Sequence, residues 1–332
     1  MAVKQRRIAL TWMLLFVAAV GRGAMAQGAE PAVVRVGALG VISDAGLYVA
    51  MERGYFQDEG IRVDLQVFGS GAKMIPALVA GELDAAGGTA AAGLYNAVAS
   101  GMDFRVVADK GQNRPGHEFT TLVVRKDLLD SGAVKSMADL KGRRIALLPG
   151  QGVVTQYLLG RTLEHAGIPW NGVDRVDIAA PNQVTLLANR QVDAAVTAEP
   201  FGARAERVGA ARRYPVGEEV KALGRLQVAV FMYSGKFIAE RRDVARRWMR
   251  AYVKGLHFVH EKGVKNEEVI GALTQHVRAT PEDIRASWPP YLSPDGRPDV
   301  ASLAAQQEWY LKMGMVERKV PIEKVVDLSF LP

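Results

Sequence analysis

Runs of apolar residues alternate along the chain with stretches of helical periodicity. Before residue 110 this pattern predicts strands at 33–39, 61–67, 83–86 and 104–108, and helices at 46–53, at about 72–80 and up to residue 100. Strands that alternate with helices are typical of a parallel sheet covered on both faces. The first part of the chain is therefore predicted to form an α/β unit.

The same alternation begins again after residue 119. It predicts strands at 119–125, 144–148, 173–178, 192–197 and 226–233, with helices up to about 165, at 184–190 and from Glu199-Pro200 onward. Ser136 and Asp139 have the spacing of a capping box. After residue 233 the pattern is mostly helical.

An internal repeat links these two parts. Residues 78–86 (LVAGELDAA) match residues 187–195 (LANRQVDAA), which places Asp84 on Asp193 at an offset of 109 residues. At the same offset Val36 falls on Ile145, in the opening strand of each part. We expect two α/β lobes of similar topology.

The two β runs that flank the second part predict how the lobes are divided. They carry the chain out of the first lobe and back, so lobe I is predicted at 31–121 plus 229–332, and lobe II at 122–228. Two strands that connect two lobes form a hinge, and ligands often bind at such a domain interface.

The first 26 residues have the three parts of a cleavable secretory signal peptide. A basic start precedes an uncharged apolar run at 8–20, and the small-x-small pattern Ala24-Met25-Ala26 follows. The whole chain carries +7, but the part after residue 26 has 38 basic and 35 acidic residues, or +3. That balance argues against a nucleic-acid partner.

The composition excludes several classes of site. The chain contains no Cys, which removes disulfides, thiolate metal sites, cysteine nucleophiles and lipidation at cysteine. Gly150-x-Gly152 matches a dinucleotide fingerprint only in part, since Thr155 stands at the third glycine position. We find no nucleophile elbow and no metal-ligand spacing, and therefore predict no catalytic residue, no metal and no cofactor.

The loops beyond the carboxyl ends of the strands are the predicted ligand site. They are residues 39–48, 69–71, 87–91, 149–153 and 198–201. Three of them are glycine-rich turns that lead into helices, where free N–H groups and the helix dipole favour an anion. The same glycines also have a simpler explanation as turns.

A few side chains in or near these loops are candidates. Glu199 either complements the start of the following helix or makes a polar contact with the ligand. Tyr48 and Phe201 either pack on an organic ligand or belong to the core. His117 is a further candidate, in a loop near the proposed cleft. Lys110, Gln112 and Asn113 follow the fourth strand and are weaker candidates.

Four motifs, in order, resemble the periplasmic substrate-binding proteins of ABC transporters, in the nitrate/sulfonate/taurine branch that includes thiamine-pyrimidine binders. They are Gly54-Tyr55-Phe56 with Gly60-Ile61, Gly81 with Asp84, Leu140-Lys141-Gly142, and Asp193-Ala194 with Glu199-Pro200. The resemblance spans about 33–310. It implies the type II periplasmic-binding fold, with two lobes, a central hinge and a ligand cleft.

The resemblance also implies a role. Such proteins capture a small solute in the periplasm, close on it and deliver it to a membrane permease. By position in the motifs, ligand contacts fall on Ser43, Ala45, Gly69, Ser70, Gly88, Thr89, Gln151, Gly152 and Glu199. We expect an exported monomer that is not a lipoprotein and that binds a small organic anion such as a sulfonate, taurine or an aromatic acid.

Three alternatives stay open at this point. In the first, the ligand is a pyrimidine or thiamine precursor. In the second, the protein is a periplasmic enzyme on the same fold. In the third, it is a sensor module that presents its ligand-closed form to a receptor.

Overall fold

The structure is a computed structural model that describes residues 30–332. The predicted signal peptide at 1–26 lies outside the described residues. Within 30–332, every helix is too short or too polar to span a bilayer.

Ten strands form two five-stranded sheets. The strands are β1 (Ala32–Ala38), β2 (Ile61–Val67), β3 (Ala85–Thr89), β4 (Phe104–Asn113), β5 (Thr120–Arg125), β6 (Arg144–Leu147), β7 (Asp174–Asp177), β8 (Ala194–Ala198), β9 (Ala211–Tyr214) and β10 (Leu226–Ser234). The order of the first sheet is β2-β1-β3-β10-β4, and that of the second is β7-β6-β8-β5-β9.

Fourteen α-helices of the described chain surround these sheets. They are α1 (Ala45–Glu52), α2 (Tyr55–Asp58), α3 (Met74–Val79), α4 (Ala92–Ala99), α5 (Lys126–Asp130), α6 (Val154–His165), α7 (Ala180–Ala188), α8 (Phe201–Arg207), α9 (Val216–Glu219), α10 (Gly235–Glu240), α11 (Arg242–Lys262), α12 (Glu267–His276), α13 (Pro281–Ala286) and α14 (Val300–Lys312). The predicted capping box of Ser136 and Asp139 is present.

The two sheets share one plan. In each, three strands run parallel, β2-β1-β3 and β7-β6-β8, and an antiparallel strand follows, β10 in the first sheet and β5 in the second. The carboxyl ends of the three parallel strands therefore meet at one edge of each sheet. β10 pairs with β3 and β4 although it follows the whole second sheet in sequence. The predicted lobe boundary at residue 228 falls inside β10, and the division into lobes stays a prediction.

The repeat at an offset of 109 residues extends to hydrogen bonds. The backbone N–H of Arg35 donates to the carboxylate of Asp84 at 2.9 Å, and that of Arg144 donates to the carboxylate of Asp193 at 3.0 Å. In each pair the aspartate N–H also donates to the arginine carbonyl, at 2.9 Å from Asp84 to Arg35 and at 2.8 Å from Asp193 to Arg144. The same residue pair thus closes the same strand junction twice.

Some predicted elements are displaced. The helix predicted at 184–190 is α7, which begins at Ala180 because Pro181 fits the first turn. Pro200 lies just before α8 rather than within its first turn, and its peptide bond with Glu199 is cis. β9 was not predicted.

The C-terminal helix α14 crosses to the second sheet and packs on α6. Trp309 lies edge-on to Tyr157 at 5.5 Å between ring centroids, and its indole N–H donates to Glu164 at 3.2 Å. On α13, the buried Asp283 pairs with Arg207 of α8 at 2.8 Å. Residues that follow the first sheet in sequence therefore hold helices of the second.

The duplicated Arg–Asp pair gives a matched test of the fold. Asp84 is 5% exposed and also accepts from the Arg35 guanidinium at 2.7 Å, whereas Asp193 is 23% exposed and meets Arg125 only at 3.4 Å. Replacing Asp84 by Ala should cost about 1–3 kcal/mol of unfolding free energy, and the same change at Asp193 less than about 1 kcal/mol. Urea denaturation measures the unfolding free energy of both variants. Equal losses contradict a larger contribution of Asp84 than of Asp193 to the stability.

Candidate functional site

The glycine turn after β2 packs against the end of β3. A Cβ atom on Gly71 would lie 3.1 Å from both the backbone nitrogen and the Oγ1 of Thr89, and 3.6 Å from the Cα of Gly88. Gly69 is exposed and Ser70 is half-buried. The structure thus brings together the four predicted residues of these two loops.

The loop after β6 reaches across to the first sheet. The N–H of Ala92, at the start of α4, donates to the carbonyl of Gly152 at 2.8 Å. Gly152 has a φ of 65°, and a Cβ there would lie 2.1 Å from the Cβ of Ala92. Only glycine allows this approach, and it places the exposed Gln151 beside the first-sheet loops.

The turn after β1 contributes a buried charge pair. Ser43 and Asp44 are buried there, and the Lys110 ammonium lies 2.8 Å from Asp44 Oδ1 and 3.0 Å from Ser43 Oγ. Ala45 opens α1 and is buried. The Tyr48 ring stacks on His276 with centroids 4.4 Å apart, and burial raises the pKa of its phenol. Tyr48 is therefore packed among protein groups on the side of α1.

Ser43 and Glu199 are connected through Phe119. A Cβ on Gly111 would lie 3.0 Å from the Cβ of Ser43 and 2.9 Å from Cζ of Phe119, so these two side chains meet over Gly111. The carbonyl of Phe119 accepts from the N–H of Glu199 at 2.7 Å. The end of β8 thus lies near the turn after β1.

Both carboxylate oxygens of Glu199 are already engaged by protein donors. Oε2 accepts from the N–H of Ala203 at 2.8 Å, and Oε1 accepts from Arg213 at 2.6 Å and from the N–H of Trp288 at 3.2 Å. Burial raises the pKa of this carboxyl, and the Arg213 guanidinium opposes the rise. These contacts stabilise the start of α8, where Phe201 is buried, and a ligand contact by Glu199 or Phe201 stays a prediction.

Two hydroxyl groups at the second-sheet edge were missed by the sequence reasoning. Thr155 lies in the first turn of α6 and Thr197 near the end of β8, and both are buried. Neither Oγ1 has a hydrogen-bond partner among the residues that the structure describes. Buried polar groups normally have partners, so each of these two hydroxyls keeps hydrogen-bonding capacity that the described residues do not use.

Asp109 organises the end of β4. Its carboxylate accepts from the N–H groups of Gly111 and Ser293 at 3.1 and 2.9 Å, and from the amides of Gln112 and Gln227 at 3.2 and 2.7 Å. Burial raises the pKa of Asp109 to about 6, against the lowering effect of these donors. Asp109 therefore fixes the strand from which Lys110 projects.

His117 lies in the segment between the sheets. Its Nδ1 is 3.3 Å from the carbonyl of Pro290, and it lines a surface cavity of about 390 Å³ together with His260 and Tyr291. Within residues 30–332 no group of three or more His, Asp or Glu side chains is placed to hold a metal ion.

Comparison with known sequences identifies the family. The family model described as "NMT1/THI5 like" matches residues 42–264, which is more than half of the chain. The chain belongs to the NMT1/THI5-like family. The matched range includes every predicted ligand residue.

A sequence relative is a protein of Brucella abortus (strain 2308) that is described as a binding protein. It is 29% identical over 158 residues, which are 44% of this chain and 41% of the relative. The match thus spans less than half of the length of that relative.

Solved structures of periplasmic binding proteins share the fold. The alkanesulfonate-binding protein from Xanthomonas axonopodis pv. citri bound to MOPS has a TM-score of 0.70 at 20% identity, covering 90% of this chain and 99% of its own. The periplasmic nitrate-binding protein from Synechocystis PCC 6803 has a TM-score of 0.71 at 14% identity, with 91% and 87% covered. The predicted fold class, an α/β periplasmic-binding fold, is confirmed.

The fold also occurs in an enzyme. The desulfurization enzyme DSZB has a TM-score of 0.64 at 16% identity, covering 90% of this chain and 97% of its own. Most of the similar structures are binding proteins, and the fold alone does not decide between binding and catalysis.

The raised pKa of Asp109 predicts a pH dependence of stability. The folded state holds the Asp109 proton up to about pH 6, whereas the unfolded state releases it near the ordinary value of 3.8. The contribution of this group to the unfolding free energy therefore falls as pH rises from about 4 to 6, by up to about 3 kcal/mol, and is constant above.

Urea denaturation of the wild type and of Asp109→Asn at pH 4, 5, 6 and 7 checks this dependence. The variant should be the less stable one, because an amide donor would face four protein donors. Its deficit should shrink as pH rises to 6. A deficit that grows with pH contradicts the direction of the pKa shift.

The unpartnered hydroxyl of Thr155 predicts a gain in stability on its removal. Thr155→Val should raise the unfolding free energy of the ligand-free protein by about 1 kcal/mol, because a buried hydroxyl without a partner is costly. Thr162 is the matched control on α6, since it is equally buried but donates to the carbonyl of Leu158 at 2.9 Å. Thr162→Val should lower the stability. Thermal melts in which Thr155→Val is the less stable of the two variants contradict an unpartnered Thr155 hydroxyl.

Proposed function

We propose that this protein is the solute-binding component of an ABC importer and closes two lobes on a small organic anion. The observation that carries the proposal is the hydrogen bond from Ala92 to Gly152, which joins loops of the two sheets at the edge that holds the predicted ligand residues. The lobes are proposed at 31–121 plus 229–332 and at 122–228. Membership of the NMT1/THI5-like family supports this role.

Ligand entry requires these loops to separate, since they touch through their backbones. The chain crosses between the sheets at 114–119 and at 215–225, and these segments are the proposed hinge. Asn113 and Thr120 bracket the first crossing and bond to each other at 2.6 Å through the Asn113 amide and the Thr120 carbonyl. Rotation about the two crossings opens the cleft.

The charges near the cleft favour an anion held by neutral donors. Asp44 is compensated by Lys110, and Glu199 by Arg213. The helices α4 and α6 both begin at the contact between the loops, and their N-terminal N–H groups contribute about 0.3–1 kcal/mol each toward an anionic group. The hydroxyls of Thr155 and Thr197 supply further donors. A sulfonate, taurine or aromatic acid matches this set.

The proposed setting is the periplasm, with the ABC permease as partner and a monomer as the working form. The similar structures include periplasmic sulfonate- and nitrate-binding proteins, which supports this setting. A pyrimidine or thiamine precursor is the alternative ligand.

An enzyme on the same fold is the second candidate, because the desulfurization enzyme DSZB shares it. The chain has no Cys, so any such enzyme works without a cysteine nucleophile. Mass spectrometry of the ligand after incubation separates the candidates, since a binding protein returns it intact.

A thermal-shift panel tests the proposal. It contains butanesulfonate, taurine, nitrate, benzoate and a neutral aminopyrimidine. An anion at 100 times its Kd should add about 2.7 kcal/mol, which raises the Tm by about 4 °C for a chain of this size. A shift with the aminopyrimidine alone, or with no member, contradicts binding of an anion.

Thr155→Val provides the site variant for the same panel. It should show a smaller shift than the wild type with the best anion, because it removes a proposed donor. Thr185→Val, at an exposed position on α7, is the control and should keep the full shift. Equal shifts for both variants argue against Thr155 as a ligand contact.

A further inference from the structure

Lys110 carries a fully buried ammonium group beside the turn after β1. Its Nζ lies 2.8 Å from Asp44 Oδ1 and 3.0 Å from Ser43 Oγ, and the side chains of Lys110 and Asp44 are both 0% exposed. Burying two charges is unfavourable unless their geometry is good, and well-packed apolar residues often replace such a pair without loss. The pair therefore needs an explanation beyond stability.

The backbone is shaped to bring Lys110 to this position. Ala229 of β10 pairs with Gly111 and Val230 with Asp109, so Lys110 is the extra residue of a β-bulge in β4. Bulges redirect side chains and occur often beside functional sites. The redirected side chain passes over Gly87 of β3, where a Cβ would lie 2.8 Å from Cε of Lys110. A bulge and a glycine together make room for one lysine.

The hydroxyl hydrogen of Ser43 is the group of this arrangement that is available for a further hydrogen bond. An ammonium group only donates, so Ser43 Oγ accepts from Lys110 and its own hydrogen is directed elsewhere. Among residues 30–332 the Ser43 hydroxyl donates to no acceptor. Ser43 lies in the turn after β1, one of the loops of the predicted ligand site. Its hydrogen is thus available to a group that the protein does not supply.

We propose that the Lys110–Asp44 pair fixes the Ser43 hydroxyl as a hydrogen-bond donor to an anionic oxygen of the ligand. Lys110 is then a positioning residue, and the inference rests on the proposed function. The adjacent ammonium polarises the hydroxyl and strengthens its donation, because hydrogen bonds in a chain reinforce one another. Asp44 compensates the ammonium, so the pair itself adds no net charge to the proposed site.

Isothermal titration calorimetry with butanesulfonate and neutral butanesulfonamide tests this inference. The variants are Ser43→Ala, the double variant Asp44→Asn/Lys110→Met, and the triple variant that combines them. The double variant removes both charges, which avoids leaving an uncompensated one in the interior. Lys141→Met, at an exposed lysine, is the control, and thermal melts report whether each variant folds.

We expect Ser43→Ala and the double variant each to weaken butanesulfonate binding by about 10- to 100-fold, the size of one hydrogen bond to a charged group. The triple variant should bind no more weakly than the weaker of these two, because both changes act on binding through the same Ser43 hydroxyl. Affinity for butanesulfonamide should fall less than affinity for butanesulfonate, by at most about tenfold, because its neutral oxygens accept a weaker hydrogen bond. A general loss of structure would weaken the binding of both probes alike.

Two results separate this inference from the proposed function. A double variant that binds butanesulfonate as the wild type does, or effects that add fully in the triple variant, overturn the role of Lys110 and leave the proposed function in place. If the wild type binds benzoate, taurine or nitrate instead of butanesulfonate, the same variants are titrated with that anion and the same outcomes decide. A wild-type protein that binds no anion of the thermal-shift panel contradicts the proposed function, and the inference falls with it.

Discussion

The arrangement of the site depends on one backbone hydrogen bond, from the N–H of Ala92 to the carbonyl of Gly152. It forms only because residue 152 lacks a side chain, since a Cβ would overlap Ala92. The bond joins the start of α4 to the loop before α6, so two helix N-termini from different sheets converge. This contact is where loops of the two sheets meet in the proposed cleft.

The charges around the cleft follow a single rule, which is local compensation. Asp44 is matched by Lys110, Glu199 by Arg213, and Asp109 by four neutral donors. These charges thus position loops and helix starts, and in the proposed function neutral donors are the groups that meet the ligand. This division explains why the carboxylate of Glu199, a candidate ligand contact in the sequence, is hydrogen-bonded to donors of the protein itself.

Local patterns in the sequence predict the elements better than their pairing. The strand at residues 61–67 is correct to the residue, because its alternation is local, and β9 was missed because Arg212 and Arg213 interrupt a short edge strand. The position of β10 between β3 and β4 depends on contacts over more than 100 residues. Glycine turns are local, so the sequence predicts the loops of the candidate site. The unpartnered hydroxyls of Thr155 and Thr197 are not predicted, because they depend on which groups surround them in the fold.

The position of β10 has a consequence for the order of assembly during biosynthesis. The strand that fills the gap between β3 and β4 is made only after the entire second sheet has emerged. Until then the first sheet lacks an inner member, and its Val- and Ala-rich strands stay without their final partner. The five strands of the second sheet are contiguous in sequence, so their pairing does not depend on β10, whereas the first sheet is completed only when β10 is available.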